Sequence, residues 1–134
     1  MFAYAVRDRY IELTATGYVS ADEAASLFRT VRADPNVPDG LPWLMDLRRY
    51  DHTSMSADEL QPRVLRMFQI LGPKIGPFWA FVIDSQVEHI VKARLVQHLV
   101  RGDDATVMLF REFAEAREWL EMMGERLLRR KKEA

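Results

Sequence analysis

The sequence predicts an α/β fold: a single five-stranded, mostly parallel sheet with an antiparallel edge hairpin and four helices. Three observations predict it. Residues 42–47 (PWLMDL) and 78–83 (FWAFVI) are apolar at almost every successive position rather than at alternate ones, which is the habit of parallel strands covered on both faces. A Ser-x-x-Glu capping signal recurs at Ser20, Ser56 and Ser85, each after a predicted strand and ahead of helical spacing. The first 16 residues alternate apolar with polar about a charged break, as a half-buried hairpin does.

Taken in order, Phe2, Tyr4 and Val6 alternate up to Arg7-Asp8-Arg9. Ile11, Leu13 and Ala15 then alternate against polar neighbours until Gly17. Ser20 with Glu23 opens a helix whose inward stripe is Ala24, Leu27, Phe28 and Val31, and Asp34-Pro35 ends it. The central strand, residues 42–47, runs into a polar segment, RRYDHTSMS, expected to be a loop at the carboxyl end of the sheet. Ser56 with Glu59 opens a second helix, with Leu60, Val64, Met67, Phe68 and Leu71 inward. Pro62 either kinks this helix or marks its true start. The next strand, 78–83, ends at Asp84. Ser85 with Glu88 then opens a third helix with Val87, Ile90, Val91, Leu95 and Leu99 inward. A turn at Gly102-Asp103-Asp104, a strand over 105–110 and a helix marked by Phe113, Ala116, Trp119, Leu120 and Met123 complete the pattern. Residues 126–134 form a basic tail expected to fray. Strands alternating with helices imply right-handed crossovers.

With 134 residues, one core and a single domain spanning 1–134 are expected. A net charge of −1 provides no whole-molecule field for nucleic acid, and the short basic tail is the ordinary complement of a helix C-terminus. The absence of cysteine removes disulfides, thiolate nucleophiles and thiolate metal sites, and it suits a reducing cytoplasm. The opening MFAYAVRDRY lacks the basic start and apolar run of a signal peptide, and no run approaches the roughly 20 apolar residues of a membrane-spanning helix. The expectation is a cytoplasmic protein with no membrane span.

The chain resembles the SpoIIAA-like branch of the STAS superfamily, small α/β domains related to anti-sigma-factor antagonists. The resemblance is carried by the opening hairpin, by Gly17-Tyr18-Val19-Ser20-Ala21-Asp22-Glu23, by the strand ending Met45-Asp46-Leu47-Arg48, and by Phe81-Val82-Ile83-Asp84 before a helix. It implies a non-catalytic regulatory module acting on a protein partner or as a homodimer. The alternative it implies is a carrier of an apolar or lipid-like ligand, as in CRAL-TRIO domains. Antagonists of this superfamily carry a phosphorylatable Asp-Ser pair followed by Gly after the central strand. Here the region reads Thr53-Ser54-Met55-Ser56, so the phosphoswitch motif is not evident.

The candidate ligand-binding residues are Asp46, Arg48, Arg49, Tyr50, His52, Ser54, Ser56 and Asp84, placed by sequence near the carboxyl end of the sheet, where open α/β folds bind ligands. Arginines there suit a small anion held bidentately, and the Met and Trp content suits a small apolar ligand. The ordinary reading stands beside this: strand-end aspartates accept backbone hydrogen bonds, arginines stay solvated, Ser56 caps a helix, and Met and Trp fill the core. No catalytic residue and no cofactor is assigned, because no nucleophile-elbow motif is present. No metal site is assigned either: of the three histidines, His89 and His98 lie about 13 Å apart along one helix at 1.5 Å per residue.

Overall fold

The computed structural model describes residues 1–100 and 105–133. The chain runs β1 (Phe2–Val6), β2 (Ile11–Gly17), α1 (Ala21–Ala33), β3 (Trp43–Tyr50), α2 (Ala57–Leu71), β4 (Phe78–Val82), α3 (Val87–Val100), β5 (Thr106–Phe110) and α4 (Phe113–Glu133). Single 3₁₀ turns at His52–Ser54 and Gly72–Lys74 flank α2. The five strands lie in the order β1-β2-β3-β4-β5. β1 is the antiparallel edge, and the remaining three pairings are parallel. The fold class, hairpin and helix count expected from sequence are all present. The turn expected at Gly102-Asp103-Asp104 lies outside the described residues.

Strand period two sorts the core into two layers. Ile11, Leu13, Trp43, Met45, Trp79, Phe81 and Val107 face one way and pack against Phe28, Val31, Val64, Met67, Ala93 and Val100, so α1, α2 and α3 share one face of the sheet. Leu44, Ala80 and Val82 face the other way, onto Ala116 and Leu120 of α4. This double cover is why β3 and β4 read as continuous apolar runs. Three crossovers of one hand between adjacent parallel strands place their helices on one face, which leaves α4 to cover the second.

The amino ends of β3 and β4 are held by a tryptophan pair. Trp43 and Trp79 are in register, stack at 4.9 Å and 5°, and are 0% and 1% exposed. Their indole N–H groups donate to the carbonyls of Lys74 and Gly76 at 3.0 Å each. Gly76 is required there, because a Cβ at this position would stand 1.9 Å from the Leu41 carbonyl oxygen. At the far end of β2, Gly17 has φ +65°, a left-handed conformation that glycine adopts without strain, and its carbonyl accepts from the Asp51 amide at 2.9 Å.

Three local expectations are corrected. First, β3 continues through Arg48-Arg49-Tyr50 instead of ending at Leu47. Thr14 pairs with Asp46 but Thr16 with Arg49, so β3 carries one extra residue opposite Ala15, a bulge. Beyond Asp46 the strand pairs with β2 alone, since its pairing with β4 stops at Val82, and polar residues are tolerated there. Second, α3 starts at Val87 without Ser85 as its cap. Asp84 Oδ1 accepts from the Gln86 amide at 2.9 Å, and Gln86 provides the first helical carbonyl, to Ile90. Third, Val87, Val91 and Leu95 do not point inward: they are 73%, 52% and 40% exposed, and His89, Ala93 and Val100 are the buried positions. Pro62 lies within a continuous α2 whose start precedes it.

Candidate functional site

The candidate residues divide into three groupings around the carboxyl ends of β3 and β4. On the α4 side, the bulge brings Arg48 back onto Asp46: Asp46 Oδ1 accepts from the Arg48 amide at 3.2 Å and from Nε at 2.9 Å, and Oδ2 accepts from the second guanidinium nitrogen at 2.8 Å. The guanidinium carbon also lies 5.7 Å from the centre of the Phe113 ring, within cation-π range. Burial pushes the Asp46 carboxyl up, but these bonds outweigh it and hold the acid below its ordinary range. The same pairing keeps Arg48 firmly charged. A bidentate pair of this kind meets its own charge locally. Arg49 is exposed on the next position of the strand.

The second grouping was not visible in sequence. His52, in the turn after β3, and His89, in the first turn of α3, stack face to face at 4.8 Å and 13°. Both are buried, at 5% and 3% exposure. Gln86 Oε1 sits 2.9 Å from His52 Nε2, and since a carbonyl oxygen only accepts, that nitrogen carries the proton. His52 Nδ1 is then a buried lone pair without a partner. Asp84 Oδ1 lies 3.1 Å from His89 Nδ1, close enough for charge attraction, though the alignment is not that of a hydrogen bond. Lys92 reaches across to the His52 carbonyl at 2.7 Å.

Burial lowers the His89 pKa. Asp84 pulls it back up, while His52 and Lys92 push it further down, and the net shift is downward, so this imidazole is held neutral. For Asp84, burial raises the pKa, but the Gln86 amide and His89 outweigh it and the net is downward. No serine or threonine hydroxyl bonds to either imidazole among the described residues. No cluster of three or more His, Asp or Glu side chains that could hold a metal occurs among the described residues.

The third grouping is apolar. Between the sheet and helices α1 and α2 lies a cavity of about 140 Å³, walled by Phe28, Met45, Leu47, Val64, Met67 and Phe81 among others, with Tyr50 and Arg63 as its polar rim. The Arg63 guanidinium donates to the Val19 carbonyl at 3.2 Å and to Met55 Sδ at 3.3 Å, which ties the start of α1 to the turn before α2. Tyr50 thus belongs to the cavity rather than to either polar grouping.

Ser56 precedes α2, and its hydroxyl donates to Glu59 Oε1 at 3.2 Å, making no side-chain bond to the helix amides. Ser20, by contrast, makes the expected cap, its Oγ accepting from the Glu23 amide at 3.0 Å. The Ser54 side chain lies outside the described part of the structure. Sequence reasoning therefore placed His52 and Asp84 near one another but missed His89 as the residue joining them. No local signal could have found it, because the two imidazoles stand 37 positions apart on different elements.

No protein-family model matches the chain, and no curated protein sequence does. Among solved structures, the chain is similar to an uncharacterised protein of the DUF3478 family with a SpoIIAA-like fold from Shewanella loihica PV-4. The two are 13% identical over 90% of this chain and 92% of that one, with a TM-score of 0.60. At that identity the likeness is one of architecture, and its coverage takes in the sheet and its helices together: the chain has a SpoIIAA-like fold.

Proposed function

We propose that the chain is a non-catalytic regulatory module that works by contact with another protein chain. The observation that carries this reading is the outward face of α3. Val87, Val91 and Leu95 recur every fourth residue on one side of a helix and are largely exposed, as no other helix here shows among the described residues. Contiguous exposed apolar surface on a folded domain marks an interaction site. The polar pair at the end of β3 favours the same reading, because Asp46 and Arg48 meet one another's charge through two side-chain bonds. The lack of cysteine suits work in a reducing compartment. Capture with tagged wild-type chain, set against Val91→Glu, tests it. The wild type should retain a partner or a second copy that the variant loses, and equal behaviour of the two chains removes the reading.

A second reading rests on a different observation. A cavity of about 140 Å³ with apolar walls is close to the size that holds one benzene-sized molecule. We infer that it takes a small apolar ligand, or the end of a longer one, with Arg63 and Tyr50 at its mouth. Native mass spectrometry of gently purified protein should show an added mass that Ala24→Trp, which fills the cavity, abolishes. An unliganded wild type that also fails to bind a fluorescent apolar probe ends this version.

A further inference from the structure

We propose that the cavity between the sheet and helices α1 and α2 takes a short apolar monocarboxylate, its tail among Phe28, Met45, Met67 and Phe81 and its carboxylate on the Arg63 guanidinium at the rim. The inference rests on the apolar-ligand reading above and names the class of ligand. Two features of Arg63 carry it. The first is position: Arg63 stands half-buried at the rim of a cavity whose other described liners are apolar save for Tyr50. The second is an unmet charge. No ion pair involves Arg63 among the described residues. Its two bonds go to the Val19 carbonyl at 3.2 Å and to Met55 Sδ at 3.3 Å, the second a weak acceptor. A guanidinium has more N–H donors than these two bonds use, and a carboxylate takes a parallel pair of them.

The nearest acids along the chain are engaged elsewhere. Glu59, one turn earlier on α2, accepts from the Ser56 hydroxyl at 3.2 Å, and Glu23 at the start of α1 lies 3.7 Å from the terminal amine. A half-buried cation whose partners are a carbonyl and a thioether gains more from a carboxylate than an exposed one does, because water and salt screen it less. Arg48 shows the contrast: its guanidinium already holds Asp46 through two side-chain bonds and offers a ligand no unmet charge. The sign of the charge at the rim disfavours an ammonium group. Its size disfavours a phosphate monoester, which carries about two negative charges at neutral pH and would leave one unmet, since Arg66, the next cation along α2, is exposed and does not line the cavity. Volume sets the tail. A cavity of about 140 Å³ holds an apolar body of about six carbons, so with the carboxylate at the rim a long acyl chain does not fit.

Titration of the full chain with hexanoate, followed by NMR of the methionine methyl groups, tests the proposal, with 1-hexanol and hexylamine as the neutral and cationic counterparts of the same tail. Hexanoate should shift the Met45 and Met67 methyl signals and bind with Kd on the order of 0.1–1 mM, the range open to so small a ligand. Hexanol should bind at least about tenfold more weakly, and hexylamine should not bind. Arg63→Met should lower hexanoate affinity by at least about tenfold and leave hexanol binding where it was, while Arg63→Lys should recover part of the loss. Raised salt should weaken hexanoate binding and not hexanol binding. The three-ligand comparison on the wild type decides the matter even if Arg63→Met unfolds the chain. Hexanol binding as tightly as hexanoate overturns the carboxylate assignment and leaves the apolar-ligand reading in place, and so does a hexanoate affinity indifferent to Arg63→Met. Dodecanoate binding more tightly than hexanoate overturns the short tail. Failure of both hexanoate and hexanol to move the Met45 and Met67 signals overturns the apolar-ligand reading as well.

Discussion

Helices α1 and α3 lie on the same face of the sheet, on either side of α2, and are 13 and 14 residues long, yet they dispose of their apolar residues in opposite ways. α1 turns Ala25, Phe28 and Val31 inward and shows water Asp22, Ser26, Arg29, Thr30 and Arg32. α3 turns a histidine, an alanine and a valine inward and shows water Val87, Val91 and Leu95. A helix finished against solvent is a piece of scaffold. One that keeps apolar bulk outside after its inner face is already packed leaves a second surface uncovered, and this difference is why the proposed contact is assigned to α3 rather than elsewhere on the helical face.

The largest expected effect comes from cutting into the finished helix. Phe28 is 7% exposed, packs edge-on to Phe2 at 5.6 Å, and borders the apolar cavity. Phe28→Ala should destabilise the fold by about 3–5 kcal/mol, measured by urea unfolding. A loss below about 1 kcal/mol would mean that α1 is packed no better than the outer face of α3, and the contrast would fail.

The next test separates the two helices by pH. α1 buries no titratable side chain, whereas α3 buries His89, whose pKa in the folded chain lies below the ordinary 6.5, chiefly through burial. The unfolded chain therefore binds more protons than the folded one between those two values, and stability rises with pH there. Going the other way, stability should begin to fall as pH drops below about 6.5 and level off once His89 is protonated in the folded state. The groups facing it are Asp84, His52 and Lys92. The depressed acids Asp34, Asp46, Asp51 and Asp84 contribute stability that is present above their unfolded values near 3.8 and lost as pH falls further, so the two losses are separated. Urea midpoints from pH 8 to pH 5 should show the upper step in wild type and not in His89→Phe. An unchanged upper step in the variant would assign it to another group.

Much of this was legible in the sequence, and the parts that were not have physical reasons. The runs at Trp43 and Phe78 announced strands covered twice, because both faces of β3 and β4 carry helices, and the amphipathic spacing of α1 identified its inner stripe. The sequence of α3, VEHIVKARLVQHLV, carries apolar residues on every side of the helix, so spacing alone cannot choose the inward one. Packing chose it: Ala93 permits close approach, and His89 finds an aromatic partner in His52. Arg48, Arg49 and Tyr50 read as loop because they are polar, and they are strand because β2 outlasts β4 as their neighbour. The division of the candidate residues between the two faces follows from the bulge beside Ala15, which no local pattern announces. The cavity, lined by parts of seven elements, has no signature in any of them.

The two helix starts sharpen the comparison at a smaller scale. Ser20 accepts from the Glu23 amide, so Ser20→Ala should cost about 1 kcal/mol. Ser85 makes no such bond, because Asp84 serves the α3 start, and Ser85→Ala should fall within about 0.5 kcal/mol of wild type. Equal losses at the two serines would restore the capping box that sequence suggested for α3.

The smallest effect is the most telling for function. Leu95 is 40% exposed and belongs to the outward stripe, so Leu95→Ala removes little that folding buries and should change stability by less than about 0.5 kcal/mol at concentrations where the chain is monomeric. A leucine in the core costs several times as much when truncated. If α3 is an interface, the cost of Leu95→Ala should grow as concentration rises, because a dimer that forms only from folded chains adds its association energy to the unfolding free energy. Thermal midpoints measured across a wide range of chain concentration check this. A wild-type midpoint that climbs with concentration while that of Leu95→Ala climbs less ties the exposed stripe to association. Midpoints that stay flat for both chains assign Leu95 to solvent and leave α3 differing from α1 only in composition.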